Sequence, residues 1–261
     1  VSGAPSITRD FILQVQRGEV DGWSAVSKFG HRDSVSTSVD EIIQSNATVY
    51  TGLITAARAV RVKAGGDAND TNSSGTGARK IIAQGLDDSY VEAEEEITLK
   101  GALVSDPTST LFTRIYRSWV HPSGTYHTGN GTAGANVGAI EIENTDGVGM
   151  AHIRAGEGQT QMALYSVPAG KTAYVYAIRF FPDSTKTMVG KFWQRQNIDD
   201  VSGDVSAKRL VHQYDGLQAP FVVPIITLHV FPEKTDIWIT GQAVTTTGSM
   251  SGEFDLLLET N

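Results

Sequence analysis

From Gly156 to Pro182 the chain reads GEGQTQMALYSVPAGKTAYVYAIRFFP, and this stretch limits the possible folds more than any other. Val167-Pro168-Ala169-Gly170-Lys171 has the chemistry of a tight turn, because proline presets φ and glycine accepts a positive φ. After the turn, Tyr174, Tyr176, Ile178 and Phe180 fall on one face at a period of two. Ala173, Val175, Ala177 and Arg179 fall on the other. β-Branched and aromatic residues at that spacing suit a pleated surface buried on one side. The stretch reads as two strands joined in a hairpin.

The same pattern recurs along the chain. RAVRVK (Arg58–Lys63), YVEAEEEITL (Tyr90–Leu99), LFTRIYRSWV (Leu111–Val120) and MVGKFWQRQ (Met188–Gln196) are short runs of strand-forming residues. Loops rich in Gly, Asn, Asp and Ser separate them. No segment carries a convincing amphipathic helical pattern. The expected fold is all-β: an antiparallel β-sandwich of jelly-roll type with an extended N-terminal arm. The 261 residues are enough for one large interleaved sandwich or two consecutive ones. A change of composition near Gly156 divides the chain into an arm at 1–48, a first sandwich region at 49–156 and a second at 157–261.

The arm has too few apolar residues to close a core of its own. Phe11, Leu13 and Val15 alternate with polar and apolar neighbours, and a short helical turn fits Val39–Gln44. One reading has the arm docking on its own body or on a neighbour, with Phe11, Trp23 and Phe29 as interface anchors. The other makes these residues the first strands of the body. The most apolar stretch is FVVPIITLHVF (Phe221–Phe231), where Pro224 marks a bulge or an edge position.

Acidic residues number 29 against 21 basic ones, a formal charge of −8. That balance argues against a nucleic-acid partner, which needs a basic surface to displace counterions. No apolar run approaches the ~20 residues that span a bilayer, so no membrane partner is expected. VSGAPSITRD lacks a secretion-signal pattern. There are no cysteines, which excludes disulfides and thiolate metal sites and fits assembly in a reducing cytoplasm.

Each hint of site chemistry has a plainer explanation. Gly75-Thr76-Gly77-Ala78-Arg79-Lys80 runs into Ile81-Ile82, a strand, where a phosphate loop needs a helix. Asp67, Asn69 and Asp70 are Ca²⁺-type ligands without EF-hand spacing, and Asp199, Asp200 and Asp204 read likewise as a solvated loop. The histidines, His31, His121, His127, His152, His212 and His229, show no zinc-site spacing. Ser24 lacks the second glycine of a nucleophile elbow. Glu92, Glu94, Glu95 and Glu96 lie along one strand, whereas glycoside hydrolysis needs two acids facing across a cleft. The expectation is no enzyme, no cofactor and no metal.

Several stretches carry a resemblance when taken in order. They are Lys28-Phe29-Gly30, Gly75-Thr76-Gly77-Ala78-Arg79, Gly85-Leu86-Asp87 with Tyr90, and Glu96-Ile97-Thr98-Leu99-Lys100-Gly101. Asn136-Val137-Gly138, IRAGEGQT (Ile153–Thr160) and MALYSVPAGKT (Met162–Thr172) follow. In this order they resemble virion structural proteins of tailed, often marine, bacteriophages, over roughly Phe11 to Tyr176. The resemblance implies a component of the virion, assembled in the host cytoplasm. The part it best fits is a head decoration or cement protein binding major capsid or other virion proteins and sister copies, with a homotrimer expected by analogy. A receptor- or glycan-binding tail or fibre protein is the alternative.

Overall fold

The computed structural model describes residues 10–46, 50–127 and 131–261. The all-β expectation holds: the described residues form antiparallel sheets and one six-residue helix. Two five-stranded sheets face each other as a sandwich. The first runs β1 (Trp23–Val35), β16 (Gly248–Thr260), β10 (Lys171–Pro182), then the short strands β13 (Phe221–Val222) and β14 (His229–Phe231), both on β10. The second runs β12 (Arg209–Leu217), β11 (Met188–Arg195), β15 (Asp236–Ala243) and β2 (Glu41–Ile42), with β9 (Leu164–Ser166) also on β15. Phe180, Phe192, Phe231, Phe254, Ile178 and Ile239 fill the space between them.

A six-stranded sheet comes from the intervening chain, in the order β5 (Glu92–Thr98), β4 (Lys80–Asp87), β6 (Leu111–Val120), β3 (Arg58–Val62), β7 (Ile140–Asn144) and β8 (Gly149–Ile153). β3 pairs with β6 through Arg58 and Ala59, then with β7 through Val60 to Val62. The sheet folds over at that change of partner. Ile81 and Ile115 on one side then share a core with Ile142, Met150 and Ile153 on the other. Leu164 and Trp238 reach this core from the sandwich, and Leu86, Tyr90 and Tyr116 reach the sandwich core in return.

The N-terminal segment joins the body. β1 pairs with β16 from Trp23↔Glu259 to Val35↔Gly248, so residues 23–35 are strands of the sandwich that 164–260 completes. Gly30 explains the close fit, since a Cβ there would sit 2.1 Å from the Ile43 carbonyl oxygen. The alternation at Phe11–Gln16 belongs to a helix, α1 (Phe11–Gln16), rather than to an extended segment. The Asp10 carboxylate accepts the Ile12 N–H at 3.0 Å as its N-cap. The helical turn expected at Val39–Gln44 is instead β2. Glu41 is held by Arg32 at 2.7 and 3.1 Å, and Ile42 pairs with Thr240.

The stretch 156–182 needs two corrections. Its turn is present, with Gly170 at φ +73°, but its strands do not form a hairpin. β9 pairs with β15 and β10 with β16, so the turn carries the chain from one sheet of the sandwich to the other. The period of two is also broken, because β10 bulges between Val175 and Ala177. One extra residue exchanges the faces: Ala173 and Val175 point inward before it, Ile178 and Phe180 after it. Tyr174 is therefore on the outer face, opposite Ile178.

Candidate assembly surface

The three anchors expected from the sequence lie on the outer face of the β1–β16–β10 sheet, or against it. Gly18 (φ +68°) and Gly22 (φ +77°) reverse the chain after α1 and lead it into β1. Val15 is buried, while Phe11 remains 45% exposed. The Phe11 ring meets Trp23 edge-on at 5.2 Å, and Trp23 lies 5.4 Å from Tyr174. Leu257, which sits between Ala25 and Tyr174 in the register, is buried. A groove of about 530 Å³ runs beside the rings, lined by Val15, Gln16, Trp23, Ser24, Tyr176 and Asp255 among others.

Phe29 is not part of this cluster. It is six residues further along an unbroken register, on the same face as Trp23 and roughly 20 Å away at ~3.3 Å per residue. It is 37% exposed. Arg179 lies across the sheet from it and pairs with Asp255 at 2.8 Å and Glu253 at 3.6 Å. The face is thus aromatic at the α1 end and charged toward Phe29.

A second exposed apolar area forms at the other side of this sheet, from the most apolar stretch of the sequence. Phe221–Phe231 supplies only two short edge strands, in keeping with the position of Pro224. Ile226 is 98% exposed, and Val222, Leu228, Val230 and Leu210 are also exposed. Two prolines, Pro220 and Pro224, stop the run from donating a full ladder, and its apolar side chains are left outside. Tyr214 packs on Phe221 at 4.7 Å across the mouth of the sandwich. Beside them the Nε2 atoms of His212 and His229 approach to 2.7 Å. Burial lowers the pKa of both, and for His212 the neighbouring His229 adds to the effect.

The polar groups singled out in sequence have partners of their own. Asp70 is buried and accepts the N–H groups of Ala78, Val137 and Gly138, each at 2.8 Å. It therefore ties the loop before β4 to itself and to the loop before β7, and both its oxygens are engaged, while Asp67 caps Asn69. Asp199 binds Lys234 at 2.7 Å. The four glutamates of β5 diverge: Glu92 accepts from Tyr116, Tyr165 and Lys171, Glu94 from Gln84, Glu95 from Ser109 and Thr110, and Glu96 from Lys80. Ser24 lies within β1, away from any strand-to-helix turn. Lys28 is buried between the sandwich and β6, where it donates to the Tyr116 carbonyl. Desolvation, helped by Arg117, lowers its pKa to about 7.

No protein-family model and no curated protein matches this chain. Among solved structures it is similar to T=1 particles derived from infectious bursal virus, at 12% identity, over 91% of this chain and 70% of that one, with a TM-score of 0.25. A mutant VP2 protein of infectious bursal disease virus follows, at 9% identity, over 97% and 76%, with a TM-score of 0.26. An isomalto-dextranase of Arthrobacter globiformis T6 complexed with panose stands at 13% identity, over 91% and 35%, with a TM-score of 0.22. Likeness this shallow carries no argument about role.

No helix among the described residues is long and apolar enough to cross a membrane. Sequence reasoning named Phe11 and Trp23 but missed Tyr174 as the ring beside Trp23, and missed the His212–His229 pair. The bulge in β10 concealed the first. For the second, the only signal was a histidine on each of two neighbouring apolar runs, 17 residues apart.

Proposed function

We propose that this chain is a non-enzymatic virion structural protein of a tailed phage, a head decoration or cement protein that binds shell subunits and sister copies. The ordered resemblance across Phe11–Tyr176 supports the phage assignment. The observation that carries the mode of action is the outer sheet face, where Phe11, Trp23 and Tyr174 form a ring cluster that leaves Phe11 exposed. Aromatic residues at the centre of a contact supply much of its free energy, and repetition over a symmetric shell multiplies a modest contact.

The test uses particles stripped of the protein, to which purified wild-type chain or a Phe11→Ala/Trp23→Ala variant is added. Wild type should rebind to the head in electron micrographs, and the variant should rebind at least tenfold more weakly with unchanged circular dichroism. Rebinding at the tail tip, or binding to host cells, would favour the receptor- or glycan-binding reading. The same aromatic cluster could serve that role by stacking on sugar rings. Light scattering tests the expected homotrimer directly.

A further inference from the structure

His212 lies on β12 and His229 on β14, strands that end the two sheets of the sandwich. Their Nε2 atoms face each other at 2.7 Å, with the rings inclined at 72°. The Tyr214 ring stacks 5.9 Å from His212, and its phenol oxygen is 3.5 Å from His212 Nδ1. Phe231 lies 6.5 Å from His229 on the inner side. Both imidazoles are half-buried and remain open to solvent. Each strand is already paired within its own sheet, β12 to β11 and β14 to β10.

Two imidazole nitrogens converging from separate strands are a donor set suited to borderline transition metals. In the metal-free pair, one Nε2–H donates to the lone pair of the other ring. Metal–nitrogen bonds of about 2.0–2.1 Å need the nitrogens roughly 3 Å apart, which small rotations of the rings provide. We propose that His212 and His229 form a two-imidazole site for a divalent ion of the Zn²⁺, Ni²⁺ or Cu²⁺ class, joining β12 to β14 and closing the open side of the sandwich.

The proton balance is simple. The bridging proton moves through solvent from Nε2 to Nδ1 of its own ring, both imidazoles stay neutral, and both Nε2 lone pairs face the ion. The Tyr214 phenol oxygen is placed to accept from His212 Nδ1–H. No group of three or more His, Cys, Asp or Glu suited to a metal occurs among the described residues, so water completes the coordination. An all-nitrogen protein donor pair disfavours Ca²⁺ and Mg²⁺, which select oxygen.

The chain, freed of metal with a chelator, is titrated with Cu²⁺ and followed by electron paramagnetic resonance. One equivalent should give a spectrum with two equatorial imidazole nitrogens, lost in His212→Gln and in His229→Gln. Zn²⁺ or Ni²⁺ at a hundred times its Kd should raise the wild-type Tm by about 5–10 °C, and neither variant should respond. Mg²⁺ should leave all three proteins unchanged. In case a variant fails to fold, wild-type NMR gives the same answer. Substoichiometric Cu²⁺ should broaden the ring signals of His212 and His229 before those of His31, His121, His127 and His152. An unmoved wild-type Tm, an equal response in both variants, or broadening that begins at another histidine would overturn the proposal.

Discussion

A fully buried ion pair crosses the join between the sandwich and the six-stranded sheet, beside the shared apolar core, and its removal makes a graded prediction. Arg114 on β6 is 2% exposed and Asp236 on β15 is fully buried. The guanidinium donates to both carboxylate oxygens at 3.0 and 2.9 Å, and to the carbonyls of Ile54 at 2.6 Å and Thr113 at 2.7 Å. Ser166 supplies a third bond to Asp236 at 2.5 Å. Arg114→Met leaves the carboxylate with Ser166 alone among these donors and no opposing charge. Stranding one member of such a pair costs about 3–5 kcal/mol. With a urea m-value of about 3 kcal/mol/M, the midpoint should fall by about 1–1.7 M. Asp236→Leu alone should cost a similar amount, because it strands the guanidinium. The double variant Arg114→Met/Asp236→Leu loses both charges and should return to within about 2 kcal/mol of wild type. Urea titration followed by tryptophan fluorescence and circular dichroism measures all four proteins. Single variants within 1 kcal/mol of wild type, or a double variant as unstable as the two losses added, would refute the reasoning.

Four further outcomes follow from named positions. Lys28 has a folded pKa near 7 against ~10.4 for the unfolded chain. The unfolded state holds the extra proton between those values, so stability should rise with pH across that window, on the order of 5 kcal/mol in all. Lys28→Met should abolish this part of the rise and be the more stable protein at pH 6–7, which matched urea titrations at pH 7 and pH 9 would check. Asp70→Ala strands three backbone donors and should lower stability by about 2–4 kcal/mol, while millimolar Ca²⁺ should leave the wild-type Tm unchanged in a calorimetric scan. Gly170→Ala should cost only the ~1–2 kcal/mol of its left-handed backbone, because nothing lies near its Cβ. Gly30→Ala, which drives a methyl into the Ile43 carbonyl, should cost about 3 kcal/mol or prevent folding, as thermal scans of both would reveal.

What could be read in advance was local. Arg58–Val62, Glu92–Thr98 and Leu111–Val120 form strands where the period of two and the bounding turn residues put them. The Pro168–Gly170 turn was equally legible, because φ is set by those two residues whatever surrounds them. Which strand pairs with which was not legible. Ser166 meets Asp236, and Lys171 meets Thr260, through contacts more than 60 residues apart that leave no trace in a short window. Phe11–Gln16 misled because six residues fit a period of two as well as one face of a helix, and only the Asp10 cap decides between them. At the candidate surface, Phe11 and Trp23 could be named but not joined, since their contact depends on the reversal at Gly18 and Gly22. The edge position of the Phe221–Phe231 run was legible at Pro224, although hydropathy, which records composition, gives no sign of it.

The place of β16 has a consequence for how the molecule is made. It lies between β1 and β10, and Trp23 must wait for Glu259. During synthesis the six-stranded sheet can gather its own strands as they leave the ribosome. The sandwich has to hold two unmatched flanks until residues 248–260 emerge between them. A stalled or clipped chain ending before Gly248 would expose both flanks at once, and such a fragment should be removed by proteases or pair with another of its kind.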